Sequence, residues 1–174
     1  MITAEQFERL VSGLKADGNM RWYVHVMLLG KTGMRISEAL RVTKKDLLAG
    51  SVTMHTKAHM RTIYFPKSLI SDINPYLEGI GEDETVMQNH NGKPITSRGI
   101  SGELKKFAKL YDIPREVMHP HAFRHFFAIE FLKRNNNISL LADLLGHGNV
   151  NITQIYLRQS QEQQKVAIDE AVDW

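Results

Sequence analysis

Apolar positions along the chain recur mostly at helical spacing, with one short stretch of alternation near the first third. Phe7, Leu10, Val11 and Leu14 mark one helical face, which ends within the Gly13 to Gly18 stretch. Thr3 stands as N-cap, Gln6 occupies the capping-box position, and Ile2 and Phe7 form a hydrophobic staple. A second helix over 20–31 carries Trp22, Val24, Val26, Met27, Leu28 and Leu29 nearly all round, which predicts burial on every side. His25 within it reads as a packed histidine. Gly33 then supplies a turn, and a short helix restarts with Ile36 and Leu40 as its buried positions.

After Leu47–Gly50 the period changes. Val52 and Met54 alternate with polar residues, Lys57 to Met60 intervene, and Arg61 to Phe65 reads as a second strand stopped by Pro66. That is a β-hairpin with a basic tip. Residues 67–80 form another helix that Pro75 kinks or ends. An acidic loop spans 79–84, and Val86 to Gly92 is too brief to assign. Thr96 caps a helix with Ile100, Leu104, Phe107, Ala108 and Tyr111 inward and Lys105, Lys106 and Lys109 mostly outward.

Pro120 fits the first turn of a further helix, anchored in the core by Phe123, Phe126, Phe127, Phe131 and Leu132. Asn135–Asn137 breaks it, and Ile138 to Leu145 is a short apolar helix ending at Gly146. A helix from about Asn151 carries Ile152, Ile155 and Tyr156, and an amphipathic tail runs to Trp174. With no internal repeat or linker, the reading is one domain over 1–174, mainly α with a small antiparallel β-sheet (α+β).

Length and composition narrow the class. At 174 residues the chain can bury roughly 70% of its unfolded surface. Apolar content of 43% and charged content of 24% are those of an ordinary globular protein. Cysteine is absent, which excludes disulfides, thiolate metal sites and thiol nucleophiles. No apolar run approaches ~18 residues, so no membrane partner is expected, and the expected location is cytoplasmic.

Net charge is only +3, but it is unevenly spread. Residues 31–67 hold eight Lys/Arg against two acids, 93–134 hold nine against four, and 68–92 hold five acids and no Lys or Arg. Two basic blocks around an acidic one form an electrostatic footprint suited to nucleic acid, equally consistent with solvated scatter until chemistry is added.

Candidate chemistry concentrates between HPHAFRH (119–125) and Tyr156. His121 and Arg124 are i,i+3 neighbours, so a proton acceptor stands beside a fork of donors shaped for phosphate. His147 lies twenty-two residues after His125, at a helix C-terminus, and Tyr156 nine residues later is a possible nucleophile. Arg35 opens a helix where backbone N–H groups also favour anions, with Glu38 three residues on. Taken alone, that Arg–Glu pair is a surface ion pair, and Lys57 on its hairpin is solvated decoration. Lys57 is also placed to reach a scissile group from above.

Together these residues resemble the catalytic domain of the tyrosine recombinases, the phage-integrase family. The resemblance spans nearly the whole chain: TGMRISEAL for the first arginine box, Lys57 before the second strand, HAFRH for the His-x-x-Arg box, LLGH, and the tyrosine of TQIYLR. Each motif is weak alone; six in order are specific. The family's hairpin tip is usually glycine-rich, whereas this chain has Thr56-Lys57-Ala58-His59. Family members usually carry an N-terminal core-binding domain that clamps DNA. This chain reads as the catalytic domain without it, whether a piece of a longer integrase or one of the smaller members such as fimbrial-switch invertases.

The resemblance implies a catalytic set of Arg35, Lys57, His121, Arg124, His147 and Tyr156. Tyr156 attacks a DNA phosphodiester to give a 3′-phosphotyrosine and a free 5′-hydroxyl. A phenol of pKa about 10 is only ~0.1% ionised at neutral pH, so a base helps, and His121 is the candidate. Arg35 and Arg124 hold the non-bridging oxygens, His147 adds a hydrogen bond, and Lys57 is the candidate acid for the leaving oxygen. Glu38 orients the first arginine box, and His125, with His119, orients or packs. Arg61 is expected to contact the DNA backbone beside Lys57, with Lys105, Lys106 and Lys109 as non-specific phosphate contacts. The implied partner is double-stranded DNA, bound by a homotetramer that is monomeric when free, with no cofactor and no metal.

Two rivals stand beside this. A metal-dependent nuclease would use His119, His121, His125 and His147, but Ala-Phe-Arg separates the paired histidines where a catalytic glutamate would be needed, and a guanidinium between ligands opposes a cation. A DNA-binding module without chemistry would use the same residues as phosphate contacts, although all six catalytic-type positions are filled.

Overall fold

A computed structural model describes residues 1–55 and 60–146. Lys57, His147, Tyr156 and the tail therefore lie outside the described residues. Helix α1 (Ala4–Ala16) begins as its sequence predicts: Thr3 N–H donates to Gln6 Oε1 at 3.0 Å and Gln6 N–H donates to Thr3 Oγ1 at 3.1 Å. The staple residues Ile2 and Phe7 are both buried. The helix runs past Gly13 to Ala16, because Phe7, Leu10, Val11 and Leu14 hold one face against its neighbour.

That neighbour is α2 (Met20–Thr32), buried almost all round. His25 is fully buried there, packed edge-on against Trp22 at 4.9 Å between ring centres. Gly33 ends α2 at φ +61°, a left-handed conformation that a side chain resists. A Cβ at Gly33 would also lie 2.3 Å from the Phe127 ring, so the turn and the packing require glycine together.

Two short helices come next, α3 (Ile36–Ala39) and α4 (Lys44–Leu48). In α3 the buried residues are Glu38 and Ala39, while Ile36 and Leu40 are only half-buried. The alternating stretch forms a two-stranded antiparallel sheet, β1 (Ser51–His55) and β2 (Met60–Tyr64), with Met54 opposite Arg61 and Val52 opposite Ile63. Helix α5 (Lys67–Ile73) stops before Pro75, which sits in a single 3₁₀ turn, Asn74–Tyr76.

Helix α6 (Ser97–Leu110) is capped by Thr96 and buries Ile100, Leu104, Phe107 and Ala108. Helix α7 (Pro120–Arg134) has His119 as its N-cap, the ring Nδ1 accepting from Ala122 N–H at 3.3 Å. Helix α8 (Ile138–Leu145) starts at an Asn137 cap and ends at Gly146, φ +64°.

Packing divides the interior in two. A large core takes in α1, α2, α6, the strands and the first half of α7, including Leu10, Leu14, Leu28, Ile63, Leu104 and Phe123. Each such side chain contributes about 1.5–3 kcal/mol by leaving water. A small separate cluster joins the second half of α7 to α8 through Ala128, Leu132, Leu141 and Leu145, with Phe127, Phe131 and Ile138 packed on it. No helix among the described residues is long and apolar enough to cross a membrane.

Candidate active site

The site forms where the small cluster meets the large core, at the C-terminus of α8. The last carbonyls of a helix have no intrahelical donor and carry the negative end of its dipole. Here arginines cap them. Arg124, on α7 and 3% exposed, donates from Nη1 to the Gly33 carbonyl at 2.8 Å and from Nη2 to the Leu145 carbonyl at 2.7 Å. Arg35, just before α3, donates from Nη2 to the Gly146 carbonyl at 3.4 Å. Two guanidiniums far apart in sequence therefore meet on adjacent carbonyls.

Arg35 is held at its root. Its backbone N–H donates to Glu38 Oε2 at 2.6 Å, and its Nη1 lies 3.3 Å from Glu38 Oε1. The Arg35 side chain is 44% exposed whereas that of Glu38 is 3% exposed. Rather than a surface ion pair, a buried carboxylate holds an accessible guanidinium. Such a cation is held in direction yet open to an anionic ligand.

Arg61 stands elsewhere than a surface contact would. It is 8% exposed, its Nη2 lies 3.4 Å from Glu38 Oε2, and its Nη1 donates to the Leu145 carbonyl. Burial lowers its pKa below the ordinary guanidinium value, Glu38 opposing and Arg35 adding to the effect. The sequence holds a signal for this placement: Arg61 alternates in phase with Ile63 and Phe65, both buried.

The histidines gather at the start of α7. His121 is exposed, and its ring meets that of His125 edge-on at 4.4 Å between centres. Burial lowers the pKa of His125, with His121, His119, Arg124 and the chain's amino terminus adding to it. Burial likewise lowers His119, reinforced by His121, the amino terminus and Lys105. Lys106 is engaged with Glu103, and Lys109 is exposed at the last turn of α6.

Among the described residues no three His, Asp or Glu side chains are grouped to hold a metal ion. The Nδ1 of His119 is already engaged in capping α7. Converging guanidiniums, one of them accessible and held by a buried carboxylate, suit an anionic ligand such as a phosphate. What sequence reasoning does not find are the backbone acceptors at Gly33, Leu145 and Gly146, which fix the guanidiniums and leave only left-handed glycines as a trace.

Comparison with known proteins identifies the family. The model of the phage integrase family matches residues 1–163, and the chain belongs to that family. A tyrosine recombinase of Agathobacter rectalis is 32% identical over 148 residues, covering 80% of this chain and 48% of that protein. Tyrosine recombinase XerA of Pyrococcus furiosus is 28% identical, covering 98% of this chain and 61% of that protein. The chain spans about half to three fifths of the length of these relatives.

Among solved structures, the Tn1549 transposon integrase in complex with circular intermediate DNA superposes with a TM-score of 0.82 at 20% identity. That match covers 98% of this chain and 66% of the integrase chain. The crystal structure of XerA recombinase gives 0.77 at 20% identity, covering 99% of this chain and 63% of that chain. These likenesses establish the fold: a mostly helical domain with one small antiparallel sheet.

Proposed function

We propose that this chain is the catalytic domain of a tyrosine site-specific recombinase that cuts and rejoins double-stranded DNA. The observation that carries the reading is the meeting of Arg35 and Arg124 on the Leu145 and Gly146 carbonyls, directly before His147 in sequence. Family membership and the DNA complex named for the Tn1549 integrase support it.

In this reading the Tyr156 oxygen attacks a backbone phosphorus. A bond forms between that oxygen and phosphorus, the bond to the 5′-oxygen breaks, and a 3′-phosphotyrosyl ester remains. The phenolic proton passes to His121, and the departing 5′-oxygen takes a proton from Lys57. Arg35 and Arg124, with His147, stabilise the charge that builds on the non-bridging oxygens. Attack by a 5′-hydroxyl of the partner strand reverses the step and frees Tyr156. The ester conserves the bond, so rejoining requires neither nucleotide nor metal.

Exchange between two sites calls for four copies on DNA, each a monomer when free, acting in the cytoplasm. Lys105 and Lys109 contribute non-specific phosphate contacts; Lys106 does so by leaving Glu103. The test is incubation with nicked duplexes tiled across the DNA flanking its gene, resolved on a denaturing gel. Wild type yields a protein–DNA adduct that persists with chelator, and Tyr156→Phe yields none. An adduct retained by Tyr156→Phe, or abolished by chelator, overturns the reading.

A further inference from the structure

Arg61 is the buried cation that phosphate chemistry leaves without a task. It lies on the inner face of β2, opposite Met54, with 8% of its surface exposed. One side of its guanidinium faces Glu38 Oε2 at 3.4 Å, and Glu38 is the carboxylate that steers Arg35 through its backbone N–H and its Nη1. The other side donates to the Leu145 carbonyl, which also receives Arg124 Nη2 at 2.7 Å. Arg61 thus touches the anchor of each arginine in turn.

The fit is close. Gly146 turns at φ +64°, and a Cβ there would stand 2.5 Å from Arg61 Cδ, so the α8 terminus is shaped around the arginine stem. Arg61 Nε and Nη2 have no hydrogen-bond acceptor among the described residues. A buried cation with unused donors is costly for stability alone, and such groups are best understood where they fix a geometry. A surface phosphate contact would instead project its guanidinium into water.

We propose that Arg61 is a positioning residue of the strand-cleavage site, bridging Glu38 and the Leu145 carbonyl so that Arg35 and Arg124 are held at one fixed separation. The proposal rests on the recombinase reading above. It replaces the expected contact of Arg61 with the DNA backbone. Arg61 comes four residues after Lys57 in sequence and sits one pair in from the tip end of the sheet, opposite Met54. Lysine is a poor substitute, since a single ammonium lacks the planar fork that spans two acceptors.

The test compares wild type, Arg61→Met, Arg61→Lys and Leu14→Ala, the last being a buried α1 residue remote from the site. The probe is the tiled nicked duplex that gives most adduct with wild type. Rate of adduct formation at saturating DNA, DNA affinity against salt, and thermal melting are measured for each. A misplacement near 1 Å costs on the order of 100-fold. Arg61→Met therefore slows the saturated rate by about that factor, with affinity and salt slope unchanged. Arg61→Lys regains only a minor part, and Leu14→Ala keeps the rate well below its melting point.

A weaker affinity with a salt slope reduced by about one unit would make Arg61 a phosphate contact and overturn the proposal. Full rescue by lysine would do the same, as would a rate loss no greater than that of Leu14→Ala. If Arg61→Met does not fold, Arg61→Lys decides alone. Absence of adduct from wild type would sink the recombinase reading instead.

Discussion

The two apolar clusters are built on different principles. The large core closes on itself: α1 and α2 share a continuous buried face, and Phe7 stacks on Phe126 at 4.5 Å between ring centres. The small cluster of Ala128, Leu132, Leu141 and Leu145 is too slight to fix α8 by burial alone. At its far end α8 is instead tied to the main body by guanidiniums from Arg124, Arg61 and Arg35, which meet the Leu145 and Gly146 carbonyls. The difference teaches how α8 is held: three guanidiniums are gathered at a helix end whose partial charge favours them.

Truncation separates the two clusters most strongly. Phe123→Ala should cost about 3–5 kcal/mol and lower the single global melting transition. Leu141→Ala should act mainly on α8, releasing its amides to hydrogen exchange while those of α2 stay protected. Equal loss of protection in α2 and α8 from Leu141→Ala would break the distinction.

Arg124→Ala strikes the seam and the chemistry together. Adduct formation should fall by about 10²–10³, and α8 amides should lose protection ahead of α2 amides. A variant with normal rate would place the transition-state charge elsewhere.

Acid should destabilise the large core through His25. His25 is fully buried, and burial, reinforced by Arg21, lowers its pKa to about 3, a backbone hydrogen bond with Val86 opposing. The unfolded chain takes up that proton near the ordinary value of about 6.5. Between those values the unfolded state binds more protons, so this group's contribution is complete above about 6.5 and declines as pH falls toward 3. Roughly 2 kcal/mol should be lost by about pH 5, measurable by urea unfolding. His25→Leu should flatten that slope, and an unchanged slope would assign the effect to another group.

Surface pairs sharpen the contrast from below. Lys106→Ala removes an exposed partner of Glu103 and should shift stability by no more than about 0.5 kcal/mol in either cluster.

Much of this is legible in the sequence, for physical reasons. The helices announce themselves through apolar spacing and through caps or first-turn residues at Thr3, Thr96, Asn137 and Pro120, which are local signals. Arg35, His121 and Arg124 stand in motifs whose residue types the chemistry dictates. Spacing marks Glu38 as a companion of Arg35 but not as buried, because i,i+3 says nothing of what packs above it. Residue type suggests a DNA-backbone contact for Arg61, whereas its phase with Ile63 and Phe65 points inward, where it is buried. The Gly33, Leu145 and Gly146 carbonyls belong to the backbone and leave no side-chain signature. Lys57, His147 and Tyr156 lie outside the described residues, and their roles rest on motif and spacing.

The most direct measurement is to digest the protein–DNA adduct with protease and nuclease and identify the modified peptide by mass spectrometry. The account predicts a nucleotide joined through its 3′-phosphate to Tyr156, with a free 5′-hydroxyl on the other DNA end. Attachment to any other residue, or through a 5′-phosphate, would contradict it.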